Sequence, residues 1–222
     1  MNPIAKRTIS ALTTAALVVL AIIYAPTSWI KPVVTVLAGL AFFEFSLLLQ
    51  RKTSSLTLRW FVLGVFGCLV ILTGLTSLSV IAIRHGNLMM LYIIAIIKIS
   101  DMGGFAFGVS SAKLMKGGNH KLCPSISPGK SWEGLFGSVF CSSVVSCAFI
   151  GVTHFGVGKA ILFGVTAALV GTAGDLVESK FKRWVGVKDS STMKLTNGMG
   201  GILDMLDSLL FAPAVLMTMI CP

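Results

Sequence analysis

Apolar residues run along this chain in blocks too long for a soluble core. Crossing the hydrocarbon of a bilayer takes about 20 apolar residues in a helix. Residues 8–30 hold no charge, with Pro26 set to end a first helix near Tyr24. A second block covers 28–50 and is interrupted only by Lys31 and Glu44. The third, 60–83, is charge-free, and Gly74 and Ser77 predict a break before a short interfacial piece. Blocks at 87–108 (carrying Lys98 and Asp101), 134–158, 160–174 with a polar last turn, and 202–221 complete the series. The pattern predicts an all-α, polytopic membrane helix bundle of about seven spans. It forms a single membrane domain over 1–222, with N-terminal spans in 1–97 and the chemistry in 98–222. Two longer loops, about 110–131 and 182–201, join the later spans.

Composition agrees with this reading. Of 222 residues, 55% are hydrophobic and 12% charged, against roughly 25% charged in an average globular protein. Disorder is excluded, because it needs low hydrophobicity and high charge. The net charge of +10 first points toward nucleic acid. Placement reverses that. If the helices alternate, fourteen cations fall on one side and three on the other, with Lys98 inside a span. Positive loops mark the cytoplasmic side, so the N-terminus is expected inside, in an inner (plasma) membrane, with no nucleic-acid role. The five cysteines form no CxxC pair and read as buried free thiols.

The acids are the sharper signal. Seven of the eight lie between Asp101 and Asp207, around the two long loops, and the first basic loop has none. Asp204 and Asp207 are spaced i,i+3 on the first turn of the last helix, so they share a face. Asp175 and Glu178 repeat the spacing. If that helix ends near Arg183, Asp175 lies about 12 Å below its end. An acid at such depth must be paired, bound to metal or facing a wet cavity. Carboxylates without a His or Cys cluster suit Mg²⁺ rather than zinc. Dipole stabilisation explains Asp204 and Asp207 alone, but not Asp175 beside them.

Phosphate ligands surround these acids. Lys182, Arg183 and Lys188 offer cations, with Asp189 beside Lys188, and the earlier loop offers Ser127, Lys130 and Ser131. Asn197-Gly-Met-Gly-Gly201, including Gly200 and Gly201, precedes the last helix, whose amides could hold an anion. Singly, each lysine reads as an ordinary positive-inside residue. Gathered at one face, they describe metal-assisted chemistry on phosphates. No Walker A pattern occurs, and the three histidines are dispersed.

The ordered motifs resemble the phosphatidate cytidylyltransferase (CDP-diacylglycerol synthase) family. They are Asp101-Met-Gly-Gly-Phe-Ala-Phe-Gly108, Ile126-Ser-Pro-Gly-Lys-Ser-Trp-Glu-Gly134, Gly174-Asp175-Leu-Val-Glu178-Ser179, Ser179-Lys-Phe-Lys-Arg183 with Lys188-Asp189, and Met199-Gly-Gly-Ile-Leu-Asp-Met-Leu-Asp207-Ser208. Together they cover about 98–213. Three features depart from the family pattern. Met199 stands for a His, Met205 for an Arg, and the loop after Asp189 is about two residues longer.

The resemblance implies transfer of cytidylyl from CTP to phosphatidate at the cytoplasmic membrane face, giving CDP-diacylglycerol and pyrophosphate for phospholipid synthesis. It implies Mg²⁺, with room for a second cation, on Asp175, Asp204 and Asp207, and it is compatible with a homodimer. Lys188 and Asp189 join the catalytic set. Lys130, Ser127, Ser131, Lys182, Arg183, Gly200, Gly201 and Asp101 would bind substrate. Glycine faces near Gly103 and Gly171 would line an acyl cavity or pack helices. Two rivals stand beside this reading. One is a CTP-dependent polyprenol- or phytol-type lipid-alcohol kinase. The other is a transporter, whose only handles are Glu44 and Lys98 and for which no repeat is visible.

Overall fold

The computed structural model describes residues 16–52, 55–62, 64–65, 67, 71, 73–187 and 202–220. Helix α1 covers residues 16–24 and stops at Pro26, which cannot continue it. α2 (Thr27–Lys52) follows, then α3 (Leu56–Val62), π-helical turns among residues 64–71, and α4 (Thr73–His85). α5 (Asn87–Leu114) leads into a hairpin of β1 (Lys121–Cys123) and β2 (Ser127–Ser131). α6 (Trp132–Ala148), a single turn α7 (Ile150–Thr153), α8 (Val157–Val185) and α9 (Ile202–Ile220) complete the order.

Three helices, in Thr27–Gln50, Asn87–Leu114 and Val157–Val185, are long and apolar enough to cross a membrane, and α6 and most of α9 are shorter apolar helices. Bulky apolar side chains on the outside, such as Phe105, Phe136 and Phe140, agree with a helical membrane protein. One buried cluster ties α2, α4, α5, α8 and α9 together through Phe45, Ile81, Tyr92, Ile96, Phe163 and Leu210.

The structure corrects two expectations and decides a third that was open. α4 runs unbroken through Gly74 and Ser77, and it is core rather than interfacial. Ser77 returns its hydroxyl to Thr73 O at 2.6 Å, so it fits inside a helix. Gly74 is needed because a Cβ there would strike the Leu210 backbone of α9. Second, the loops are shorter than expected, because α5 continues to Leu114 and α8 to Val185. The first loop then folds as a hairpin, with Lys121 opposite Ser131 and Cys123 opposite Ser127. Third, Gly103 serves helix packing. A Cβ there would lie 2.7 Å from Cys141 Sγ and 2.9 Å from Gly137 O, so α5 and α6 meet backbone to backbone. Cys123, Cys141 and Cys147 are free, half-buried thiols, while Cys68 and Cys221 lie outside the described residues.

Glu133 secures the hairpin. Its carboxylate accepts from the His120 backbone N–H at 3.1 and 3.2 Å and from His120 Nδ1 at 2.7 Å. Trp132 N–H donates back to His120 O at 2.9 Å. Glu133 precedes the apolar run that begins at Gly134. The His120 ring, then the backbone amides of Glu133 and His120, hold its carboxyl down at about 2 from an ordinary 4.5. A depressed acid stabilises the fold fully above the unfolded value, and that contribution fades as pH falls from about 4.5 through about 2. Protection of the amides over 120–131, relative to their intrinsic exchange at each pH, should therefore fall across that window, and Glu133→Gln should show the lower protection already at pH 7. Equal protection at pH 7 would remove the clamp.

Candidate active site

Four elements bring the chemistry together. β2 carries Lys130, whose placement follows from Ser131 beginning α6. Ser131 Oγ accepts the Gly134 N–H at 3.1 Å, which is the usual cap of a helix start. Lys130 Nζ reaches across to α8, where it donates to Asp175 Oδ2 at 2.6 Å and to Thr172 O at 3.4 Å. Asp175 lies ten residues before the end of α8, so it is recessed by about 15 Å. Its Oδ1 is buried without a hydrogen-bond partner among the described residues.

α5 and α9 supply the other half. Ser208 is fully buried, and its Oγ donates to Asp101 Oδ2 at 2.8 Å. Its backbone N–H donates to Asp207 Oδ1 at 2.6 Å. Lys98 Nζ donates to Ser208 Oγ at 3.1 Å and stands 3.7 Å from Asp101 Oδ2 and 4.0 Å from Asp207 Oδ1. Asp101, Asp175 and Asp207 are close enough to feel one another's charge. Two lysines on separate elements offset that repulsion.

A cavity of about 600 Å³ opens beside this cluster, between α5, α6, α8 and the hairpin. Its lining mixes polar residues (Asp101, Asn119, Ser127, Lys130 and Asp175) with apolar ones (Phe105, Val109 and Leu135). That volume and mixture suit a small-molecule site. Beside it α5 and α6 touch through glycines. A Cβ at Gly134 would lie 2.8 Å from Gly104 O.

The residues expected from sequence distribute as follows. Asp101, Ser127, Lys130, Ser131 and Asp175 line the cavity, although the Ser131 hydroxyl is engaged as a helix cap. Asp207 joins Asp101 through Ser208. Lys182 pairs with buried Glu178 at 3.3 Å, and neither it nor exposed Arg183 lines the cavity. Lys188, Asp189, Gly200 and Gly201 lie outside the described residues. Asp204 is placed on the first turn of α9, but its side chain is likewise outside them.

Lys98, Ser208 and Glu44 complete the arrangement; Ser208 stood at the end of the last motif without a role, and Lys98 and Glu44 stood only as handles of the transporter reading. Glu44 on α2 is buried, and its Oε2 accepts the Leu203 N–H at 2.8 Å. It therefore caps the helix that carries Asp204 and Asp207, and it occupies an amide that could otherwise meet an anion. The signal was present, since a lone charge in an apolar run must find a partner. Glu44→Ala strands a buried N–H and should cost about 1–3 kcal/mol with reduced turnover. Glu44→Gln keeps an acceptor and should recover most of both, as read by thermal unfolding and initial rates.

Hard carboxylate oxygens, one of them orphaned, suit Mg²⁺, which typically takes one or two carboxylates and completes its shell with water and phosphate. Among the described residues no three Asp, Glu, His or Cys side chains converge on one point. The fit is thus to a substrate-completed site rather than a closed protein cage.

The profile of the Cytidylyltransferase family matches residues 2–221. The chain belongs to this family. Among its relatives is a phosphatidate cytidylyltransferase of Staphylococcus aureus, 46% identical over 123 residues, covering 54% of this chain and 44% of the relative. The Staphylococcus epidermidis protein of the same name is 41% identical over 124 residues, with the same coverage of 54% and 44%. That of Haemophilus influenzae is 39% identical over 134 residues, covering 56% of this chain and 43% of the relative. The matched stretch thus spans less than half the length of these curated relatives. Membership in the family is independent of that share.

Proposed function

We propose that this chain transfers the cytidylyl group of CTP to phosphatidate, releasing pyrophosphate and leaving CDP-diacylglycerol in the membrane. The observation that carries the reading is the Lys130–Asp175 pair, which lines a cavity together with Asp101, itself linked to Asp207 through Ser208. The names of the relatives support the choice of substrates.

In the reaction a lipid phosphate oxygen attacks the α-phosphorus of CTP. A new P–O–P bond forms, the bond to the β-phosphate breaks, and pyrophosphate leaves with the electron pair. A phosphate monoester is largely dianionic near pH 7, so no strong base is required. Lys130 would turn from Asp175 toward a phosphate, offering a mobile ammonium to the charge on the transferring group. Asp175, Asp204 and Asp207 would hold Mg²⁺. When bound there, the ion would neutralise phosphate repulsion and stabilise the leaving pyrophosphate. The apolar residues lining the cavity suit the portion of a substrate that shuns water.

The apolar blocks support seven spans, and the gathering of cations on one side when these alternate supports an N-terminus inside and a site opening to the cytoplasm of the inner membrane. The test supplies purified protein with labelled CTP, phosphatidate and Mg²⁺. Labelled lipid and free pyrophosphate in equal amounts, lost on chelation, are expected. Label passing instead from the γ-phosphate to a lipid alcohol would replace this reading with a kinase.

A further inference from the structure

We infer that Lys98 is a positioning residue whose ammonium sets the charge of the carboxylate cluster, weakening divalent-cation binding there and favouring the triphosphate. The triphosphate half of this inference rests on the proposed function; the cation half does not. A lysine this far inside an apolar helix is retained only with acidic partners. Asp101 and Asp207 are two such partners, and the hydrogen bonding around them shows what the lysine adds.

Ser208 Oγ has one proton, and it goes to Asp101 Oδ2 at 2.8 Å. Its lone pair is then what accepts Lys98 Nζ, at 3.1 Å. Asp207 Oδ1 is held by the Ser208 amide at 2.6 Å. Both acids are thus fixed by Ser208, and α5 is joined to α9 by Ser208 and Asp101. Lys98 stands 3.7 and 4.0 Å from the two carboxylates, beyond hydrogen-bond range but within strong Coulomb range. Its contribution to these two carboxylates is therefore charge more than tethering. A fixed positive charge beside Asp207 opposes a second cation and attracts an anion.

Removing the charge should shift the two affinities in opposite directions, which loss of packing would not do. Mn²⁺ binding to the purified full chain without nucleotide is read by electron paramagnetic resonance, and KM for CTP at saturating Mg²⁺ by initial rates. Lys98→Met is expected to bind Mn²⁺ about tenfold more tightly and to raise KM for CTP about tenfold, with a smaller change in kcat. Lys98→Arg should match the wild type in both. Position 205 lies three residues before Ser208 on the same face of α9, so Met205→Arg in the Lys98→Met background returns a cation to the cluster and should reverse both shifts. Weaker or unchanged Mn²⁺ binding in Lys98→Met, or no reversal by Met205→Arg, overturns the inference. Lys98→Gln, which keeps a donor for Ser208, carries the same test if the Met variant does not fold. A wild type that makes no CDP-lipid would defeat the proposed function, while the Mn²⁺ comparison would still decide the role of Lys98.

Discussion

Asp207→Asn and Asp175→Asn are each expected to lower the rate of CDP-lipid formation by about 10³-fold or more. Removing one preorganised electrostatic group commonly costs 10²–10³ in kcat, and a metal-holding carboxylate does more than a single donor. The two variants should part company in stability. An amide at 207 can still accept the Ser208 N–H through its oxygen, and it relieves repulsion with Asp101 and Asp175. Asp207→Asn should therefore unfold at or above the wild-type temperature. Asp175→Asn removes the partner of Lys130, whose side chain is 24% exposed and whose ammonium lies 2.6 Å from that carboxylate. Leaving a part-buried cation with a neutral neighbour should lower stability by about 1–3 kcal/mol. Asp204→Asn is expected to lose activity and stay folded. Initial rates and thermal unfolding on the same preparations check all three. Near-wild-type turnover in Asp207→Asn would remove the carboxylate from the chemistry.

Long apolar runs made the helices legible, because a helix pairs its own backbone groups within the run where lipid offers none. The depth of Asp175 was legible too, since a helix rises by a fixed amount per residue. Its pairing with Lys130, 45 residues away, was not, because it depends on how α6 and α8 cross. Lys98 and Asp101 share a face by their spacing, yet nothing local reveals that Ser208 sits between them. Ser131 matched a phosphate-binding reading, and the structure also engages its hydroxyl oxygen at a helix start. Local cap chemistry competes with ligand chemistry for the same residue types. The hairpin was missed because strands of three and five residues, the second holding Pro128, leave almost no periodic pattern. Glycines presented the reverse problem. Their abundance was plain, but which of them is indispensable depends on the facing helix.

Gly164 on α8 is the clearest such case, and Gly164→Val is expected to cost about 2–4 kcal/mol and most of the activity. A Cβ at this position would lie 2.6 Å from Ser143 Cα, 2.7 Å from Ser143 N and 2.9 Å from Ser142 C. Those are backbone atoms of α6, which cannot swing aside as a side chain can. Ser142 Oγ also donates to Gly164 O at 2.8 Å, and Ser146 Oγ donates to Ala160 O at 2.6 Å one turn away. Pushing the helices apart would stretch both bonds and open a packed seam, as overfilled cores do. Interhelical hydrogen bonds in membranes contribute about 0.6 kcal/mol on average, so most of the cost is steric. The effect should reach the site. Lys130 directly precedes the α6 N-terminus while Asp175 rides on α8, so a wedge between these helices separates the pair. Gly164→Ala should show the same effects at a smaller scale. Gly39→Ala is the control, because nothing lies within 4 Å of a Cβ there. Thermal unfolding and initial rates below the transition of each variant separate the two consequences. If Gly164→Val melts like the wild type, α6 and α8 are not in backbone contact. If it melts early yet turns over normally while folded, the seam does not set the Lys130–Asp175 distance.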